Sequence, residues 1–306
     1  MRVLMATTAD LNFPLAKLVA GCKVNVFLKI LGRRDDGYHD LATLFLPLPS
    51  PHDVITITPG APDTRLLLTC SEKTIASEQN ILFKCYERFG NATGYSPDIN
   101  IFLQKNIPMG AGLGGGSSDA AVLLKYLNEN AGASRLSDTD LNRLAVDLGA
   151  DVPFFLLNQP AWATGRGDQL TPVHLPLHDM TMVLACPHIH IATSWAYKAW
   201  DETCLHKVSP HSLLTPEAAL DIVFALPNFA FYNSFEAPVF ARHPQLRLVK
   251  ETLLASGADG AVMSGSGASL FAVFREACQA EQAAIRLRGW DIPTHVFSPG
   301  HRISAS

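Results

Sequence analysis

A glycine-rich segment, residues 108–118, holds the residue types best suited to bind a phosphate group. It runs Pro-Met-Gly-Ala-Gly-Leu-Gly-Gly-Gly-Ser-Ser, and Asp119 and an apolar pattern of helical spacing follow it. Glycines let a ligand approach the bare backbone, and the free N–H groups at a helix N-terminus favour phosphate. The segment predicts an anion-binding loop that leads into a helix, with Ser117 or Ser118 as the N-cap and Asp119 in the first turn.

Two common phosphate motifs fit this loop poorly. A Walker loop needs a lysine directly before its final Ser or Thr, and residues 110–119 contain none. The dinucleotide fingerprint matches Gly110, Gly112 and Gly115, but it should follow a strand directly, and residues 105–109 intervene here. The plain alternative is a flexible glycine linker, although linkers seldom run into a capped amphipathic helix.

A second glycine loop, residues 263–269, lies between two predicted strands in the C-terminal half. Its sequence is Met-Ser-Gly-Ser-Gly-Ala-Ser. Taken alone, it is equally compatible with a hairpin turn. Because clefts between domains are preferred binding sites, two such loops from different domains could close on one phosphorylated ligand.

Asp151 and Lys23 are candidates for acid–base chemistry. Asp151 follows a predicted helix end and precedes an apolar stretch, where partial burial and a nearby cation would suit it to act as a general base. The alternative is a turn aspartate that bonds to the local backbone. Lys23 begins the first predicted strand, and a lysine in that position is usually a solvated charge.

Two histidine segments add further candidates. Asp-Gly-Tyr-His at residues 36–39 combines a tight turn with a stacking ring and a titratable ring, although a surface loop is the plainer interpretation. His188 and His190 would share one face of a possible strand, but no third ligand is evident. We therefore expect no metal site there.

Composition limits the class of protein. The chain has 306 residues, 48% hydrophobic and 17% charged, which is enough for two domain cores. A net charge of −4 with no basic cluster argues against a nucleic-acid partner. The six cysteines are scattered, which indicates neither a zinc site nor a disulfide framework. With no apolar run of membrane-spanning length and no signal peptide, we expect a cytoplasmic protein without a membrane partner.

The predicted elements indicate an α+β protein whose first half is rich in strands. In that half we predict strands at 24–31, 43–46, 54–58, 66–70 and 99–104, and helices at 80–89, from 117 and from 138. Ser137 would cap the last of these helices, with Asp140 completing a capping box. Prolines and glycines between residues 158 and 180 predict a domain boundary. Beyond it we predict strands at 182–186, 260–263, 269–274 and 292–297, helical segments within 194–256, and a helix at 277–287.

Three motifs in order give the chain a resemblance to the GHMP kinase superfamily from about residue 20 onward. They are Lys23-Val24-Asn25, the loop at 108–118 and the loop at 263–269. Residues 31–39, ending in Asp-Gly-Tyr-His, and Gly-Ala-Asp-Val-Pro at 149–153 resemble one branch more closely. Members of that branch phosphorylate the C2 hydroxyl of 4-diphosphocytidyl-2-C-methyl-D-erythritol for non-mevalonate isoprenoid synthesis. Asn-Ser-Phe-Glu at 233–236 gives weaker support.

The resemblance implies a two-domain α+β architecture with ATP and substrate meeting between the domains. It implies a ribosomal-protein-S5-domain-2-like N-terminal domain at residues 21–165 and a ferredoxin-like C-terminal domain at residues 166–306. Residues 1–20 would be an N-terminal extension. We expect a monomer or weak homodimer whose partner is the small cytidyl substrate.

The resemblance also implies roles for individual residues. Asp151 would be the base and Lys23 its charged partner, and Mg²⁺ would arrive with ATP without assigned protein ligands. Substrate would contact Asn25, Tyr38, His39, Tyr197, Gly265 and Gly267, with Trp195 competing with Tyr197 to stack on the cytosine. ATP would contact Asn80, Lys105, Pro108, Met109, Gly110, Ala111, Gly112, Leu113, Gly114, Gly115, Gly116, Ser117 and Ser118.

Some alternatives stay open. Asn80 could simply be a helix cap and Lys105 a solvated lysine. Cys22 replaces the small alanine that usually precedes the lysine of the first motif, and it is small enough to keep function. The substrate could instead be mevalonate-like, homoserine or a sugar, which the Asp-Gly-Tyr-His segment disfavours. A silent ligand-binding sensor is disfavoured because both Lys23 and Asp151 are present.

Overall fold

The computed structural model describes residues 16–72, 75, 79–204, 215–224 and 229–298, without the side chains of Cys204 and Ile222. Residues 1–15 of the predicted extension lie outside this description. The prediction of an extension is wrong for residues 16–20, because they form the start of the first strand and pair with residues 53–57. Ala20 is fully buried, so this segment is part of the fold.

The described residues form an α+β structure, as the sequence predicts. Its strands are β1 (Ala16–Arg33), β2 (His39–Pro59), β3 (Leu66–Cys70), β4 (Ile99–Gln104), β5 (Ala161–Thr164), β6 (Gln169–Pro172), β7 (Thr181–Ala185), β8 (Tyr232–Asn233), β9 (Gly260–Met263), β10 (Leu270–Phe274) and β11 (Thr294–Phe297). Its helices are α1 (Ile81–Thr93), α2 (Gly115–Asn130), α3 (Asp138–Leu148), α4 (Val152–Leu157), α5 (Thr193–Cys204), α6 (Pro216–Val223), α7 (Glu236–Arg242), α8 (Pro244–Ala255) and α9 (Ala277–Arg288).

The first sheet has the order β3-β4-β2-β1-β8, with β5 paired to β2 and β6 paired to β5. Its central strand β2 runs through both strands predicted at 43–46 and 54–58. Between them the pairing with β1 jumps from Ala20↔Asp53 to Cys22↔Leu48. Pro49 and Pro51 fall in this irregularity, where a missing N–H donor breaks no ladder bond. The prolines therefore lie within β2 without breaking the strand.

Helices α1 and α2 cover the first sheet and bury its core. Leu123, Leu124 and Leu127 of α2 are fully buried. The predicted Ser117 or Ser118 N-cap is wrong, because the helix already begins at Gly115 and is capped by Gly114 in the left-handed conformation. Ser137 caps α3 as predicted, and its hydroxyl accepts a hydrogen bond from the N–H of Asp140.

The second sheet is antiparallel with the order β11-β7-β10-β9. Strand β10 is buried on both faces: Phe271 packs toward β1 and β2, whereas Leu270 packs toward helices α5, α7 and α8. The two sheets therefore share a continuous core. This core brings the loop before α2 and the loop between β9 and β10 to the same side of the molecule.

The predicted domain boundary at residues 165/166 stays a prediction. The β5–β6 hairpin crosses it, and both strands belong to the first sheet. This pairing favours a boundary between β6 and β7. No helix within the described ranges is long and apolar enough to span a bilayer.

Candidate active site

A cleft of about 1400 Å³ lies where the two glycine loops meet. Its lining includes residues from β1, β2, the start of α2, the α3–α4 junction and α5. A cleft of this kind is the usual place for a small-molecule site. Most of the residues that the resemblance singled out contribute to its walls.

Lys23 and Asp151 come together inside this cleft. Lys23 is only 4% exposed, and its Nζ donates to Asn25 Oδ1 at 2.6 Å. The same Nζ lies 3.6 Å from Asp151 Oδ2. Asp151 precedes α4, a short helix that the sequence did not predict and that begins with Val152 and Pro153. The solvated-charge interpretation of Lys23 is therefore wrong.

Asn25 links this pair to both glycine loops. Its Nδ2 donates to Thr43 Oγ1 at 2.7 Å, and its backbone N–H donates to Ser264 Oγ at 3.1 Å. The Ser264 hydroxyl donates in turn to the carbonyl of Gly112 at 2.9 Å. Buried hydrogen bonds of this kind fix the positions of the groups they join.

The two glycine loops touch through their backbones. Gly112 has φ +75°, and a Cβ there would lie 2.0 Å from the carbonyl oxygen of Ser264. Ser269 N–H donates to the carbonyl of Ala111 at 3.1 Å. The second loop is thus both a hairpin turn between paired strands and one wall of the cleft, and only glycine permits this close approach.

Two predicted loop contacts fall outside the cleft lining. Residues 108–117 and Gly265 line it, whereas Ser118 and Gly267 do not. Ser118 is buried in the first turn of α2, and Gly267 packs against Met263 and Ile191.

Lys105 forms a buried ion cluster at one end of the cleft. Its Nζ contacts Asp53 and, at 2.8 Å, Asp119 Oδ2, so the solvated-lysine alternative is wrong. Burial lowers the pKa of Lys105, but the two carboxylates outweigh this effect and raise it overall. Burial raises the pKa of Asp119 to about 7, and the Asp53 charge adds to the shift while Lys105 opposes it. Asn80 caps α1 through Leu82 N–H and also lines the cleft.

Aromatic side chains line the opposite end. Tyr38 is 56% exposed, and the Arg166 guanidinium lies 4.7 Å from its ring centre. His39 is buried, and its ring stacks on Tyr197 with centroids 4.5 Å apart. Burial raises the pKa of Tyr197, and the charge of Asp151 raises it further. This end could accept a flat ring beside the exposed Tyr38.

Of the two competing rings, Tyr197 lines the cleft. Trp195 does not line it and packs against Arg242 at 4.7 Å and the edge of His243. The two side chains point in different directions because they are two residues apart on α5. Which ring contacts a substrate stays a prediction.

Sequence reasoning missed Asp201, Arg166 and Asn233 as individual residues. Asn233 Nδ2 donates to the carbonyls of Met263 and Gly265 at 2.6 and 2.7 Å, which fixes the second glycine loop. The Asn-Ser-Phe-Glu segment was a signal for it. Asp201 had no signal, since its partner His39 is 162 residues away.

The segment with His188 and His190 is a loop rather than a strand. His190 Nδ1 lies 3.3 Å from the carbonyl oxygen of Met109, against the first glycine loop. In the part of the chain that the structure describes, no group of three His, Cys, Asp or Glu side chains could hold a metal ion.

Family models and related sequences both relate this chain to the GHMP kinases. The family model for the GHMP kinases N terminal domain matches residues 80–159, and the model for GHMP kinases C terminal matches residues 224–289. A protein of Nitratidesulfovibrio vulgaris (strain DP4), named 4-diphosphocytidyl-2-C-methyl-D-erythritol kinase, is 44% identical over 90% of this chain and 96% of its own. A protein of the same name from Geobacter sp. (strain M21) is 38% identical over 90% of this chain and 96% of its own.

Solved structures agree with this. A crystal structure of 4-(cytidine 5'-diphospho)-2C-methyl-D-erythritol kinase is 35% identical, with a TM-score of 0.74 over 92% of this chain and 98% of that one. Homoserine kinase from Cytophaga hutchinsonii, at 18% identity over 97% of this chain and 96% of its own, shares the fold with a TM-score of 0.63. The chain therefore belongs to the 4-diphosphocytidyl-2-C-methyl-D-erythritol kinase family of the GHMP kinases.

Proposed function

We propose that this protein transfers the γ-phosphoryl group of ATP to the C2 hydroxyl of 4-diphosphocytidyl-2-C-methyl-D-erythritol. The observation that carries the proposal is the Lys23–Asp151 pair, which lies in one cleft with the glycine loop and the aromatic end. A phosphoryl donor, an acceptor hydroxyl and a base can meet there. The names of the relatives supply the substrate class.

Asp151 acts as the general base in this proposal. Its carboxylate is 33% exposed, so a substrate hydroxyl can reach it and give up its proton. Lys23 Nζ, which is held by Asn25, stabilises the negative charge that develops on the attacking oxygen. Positioning of the two substrates contributes the largest share of the rate in phosphoryl transfer.

The first glycine loop holds the phosphates of ATP. Backbone N–H groups at the start of α2 point to the cleft, and the helix dipole favours negative charge there. Mg²⁺, when bound with ATP, would offset the charge of the phosphates. Ser117 lines the cleft, and its hydroxyl oxygen is a hard ligand of the kind that Mg²⁺ prefers. Phosphate and water would supply most of the other ligands. Ser117 would hold that ion.

Asn80 and Lys105 line the end of the cleft nearer α1 and bind the adenosine part of ATP in this proposal. At the opposite end, Tyr38, His39 and Tyr197 hold the cytosine. Asn25 and Gly265, which also line the cleft, contact the methylerythritol part. The protein works in the cytoplasm as a monomer or weak homodimer.

A substrate panel tests the proposed specificity. Purified protein is supplied with ATP, Mg²⁺ and, in separate reactions, 4-diphosphocytidyl-2-C-methyl-D-erythritol, mevalonate or homoserine, and ADP release is followed. We expect turnover with the cytidyl compound alone, and CDP should inhibit it competitively against that compound. Turnover of mevalonate or homoserine, or an absence of inhibition by CDP, would assign the chain another acceptor.

A further inference from the structure

One face of helix α5 holds the His39 ring in place. Tyr197 stacks on the ring at 4.5 Å with an interplanar angle of 20°, and Trp200 meets it edge-on at 5.8 Å. Asp201 Oδ1 lies 2.7 Å from Nε2 of the same ring. Residues 197, 200 and 201 share a helix face because they are three and four positions apart. His39 itself begins β2, and the orientation of its ring is set by α5.

The contact with Asp201 also determines which ring nitrogen carries hydrogen. An ionised carboxylate can only accept a hydrogen bond, so Nε2 of His39 must be the donor. Arg33 Nη1 lies 3.9 Å from the other carboxylate oxygen of Asp201, which further orients it. In the neutral ring the remaining nitrogen, Nδ1, is then an acceptor. Nδ1 has no hydrogen-bond partner within the residues that the structure describes, and His39 is one of the residues that line the cleft.

We propose that Asp201 is a positioning residue that sets the base specificity of the cleft through the His39 tautomer. This inference rests on the proposed cytidyl substrate. Cytosine carries an exocyclic amino group at C4, which can donate to Nδ1. Uracil carries a carbonyl oxygen at the same place, which would face the acceptor nitrogen without a shared hydrogen. A site built around one hydrogen-bond polarity rejects the ring with the opposite polarity.

Binding of CDP and UDP to the whole protein tests the specificity. CDP and UDP are titrated calorimetrically into wild type, Asp201→Ala and the control Glu202→Ala, whose side chain lies next along α5 and is 65% exposed. We expect Asp201→Ala to weaken CDP binding about tenfold and to change UDP binding by less than about threefold. Glu202→Ala should keep the wild-type ratio. An equal loss for both nucleotides, or an unchanged ratio, overturns the inference.

Nitrogen NMR of the His39 ring tests the tautomer directly, and its wild-type measurement does not depend on the folding of a variant. Long-range proton–nitrogen spectra of the wild-type protein should show hydrogen on Nε2 and a bare Nδ1, and Asp201→Ala should show a mixture of tautomers. Hydrogen on Nδ1 alone in wild type overturns the inference. If wild type binds neither CDP nor UDP, the proposed substrate fails and the base preference fails with it. Wild-type CDP binding with an unchanged ratio in Asp201→Ala overturns only the role of Asp201.

Discussion

Lys23 Nζ lies 3.6 Å from Asp151 Oδ2, and the two side chains differ in exposure, 5% against 33%. Lys23 is enclosed by β1 and β2, whereas Asp151 opens to the cleft at the start of α4. This asymmetry suits the proposed chemistry, because a base must reach the substrate while its charged partner need only stay nearby. A buried ammonium also keeps a fixed position, which Asn25 reinforces.

Asp151→Asn should lower kcat by at least about a hundredfold, because an amide cannot accept the hydroxyl proton. ATP binding, measured by calorimetry, should stay unchanged. Asp147→Asn is the matched control, since Asp147 also lines the cleft but is 65% exposed on α3. Normal turnover in Asp151→Asn would remove this residue from the mechanism.

Tyr197→Leu should weaken CDP binding by about tenfold, because it removes the ring that stacks on His39 and lines the cleft. Trp195→Leu is the matched control on the same helix and should leave CDP binding within about twofold, since Trp195 packs against Arg242. Calorimetric titration of both variants with CDP checks this. The reverse ranking would place Trp195 in the nucleotide pocket instead.

Gly112→Ala should destabilise the fold by about 2 to 4 kcal/mol and weaken ATP binding. Its φ is +75°, and the new Cβ would lie 2.0 Å from the carbonyl oxygen of Ser264. Gly116→Ala is the control for stability, because Gly116 lies in the first turn of α2 and an added Cβ would meet no atom closer than Ile81 Cγ2 at 3.9 Å. The control should gain up to about 1 kcal/mol. Urea unfolding of both variants measures these changes. A free energy of unfolding in Gly112→Ala equal to that of wild type would contradict the contact between the two loops.

The stability of the protein should depend on pH through Asp119. Its pKa is raised from 3.8 to about 7, mainly by burial, so between these values the folded state holds a proton at this site that the unfolded chain has released. The contribution of Asp119 to the free energy of unfolding therefore falls as pH rises from about 4 to 7. Urea unfolding across this range should show wild type losing stability relative to Asp119→Asn. A difference that is constant or grows with pH would contradict the shift.

The sequence singled out Lys23, Asp151 and residues 108–117, and all of them line one cleft. The first glycine loop was predicted as a phosphate-binding loop from its glycines and from the helix that follows them, and phosphate binding there stays a prediction. The cap of α2 was predicted wrongly at Ser117 or Ser118, because glycine in the left-handed conformation replaces a side-chain cap at Gly114. Ser137 was predicted correctly, because its cap is a local hydrogen bond.

Long-range partners were beyond local patterns. Lys23 and Lys105 each look like solvated lysines in sequence, since burial depends on strands and helices far along the chain. Asp201 meets His39 only after α5 packs beside β2. The turn residues between the strands predicted at 43–46 and 54–58 likewise indicated a break. The structure has one continuous strand there, with Pro49 and Pro51 at an irregularity in its pairing with β1.

Phosphorus NMR of the reaction product tests the central claim most directly. Wild-type protein and Asp151→Asn are each incubated with ATP, Mg²⁺ and 4-diphosphocytidyl-2-C-methyl-D-erythritol. We expect ADP and a new phosphomonoester at C2 with wild type, and neither with Asp151→Asn over the same time. No phosphomonoester from wild type that still binds ATP, or a phosphate placed on another hydroxyl, would contradict the proposed reaction.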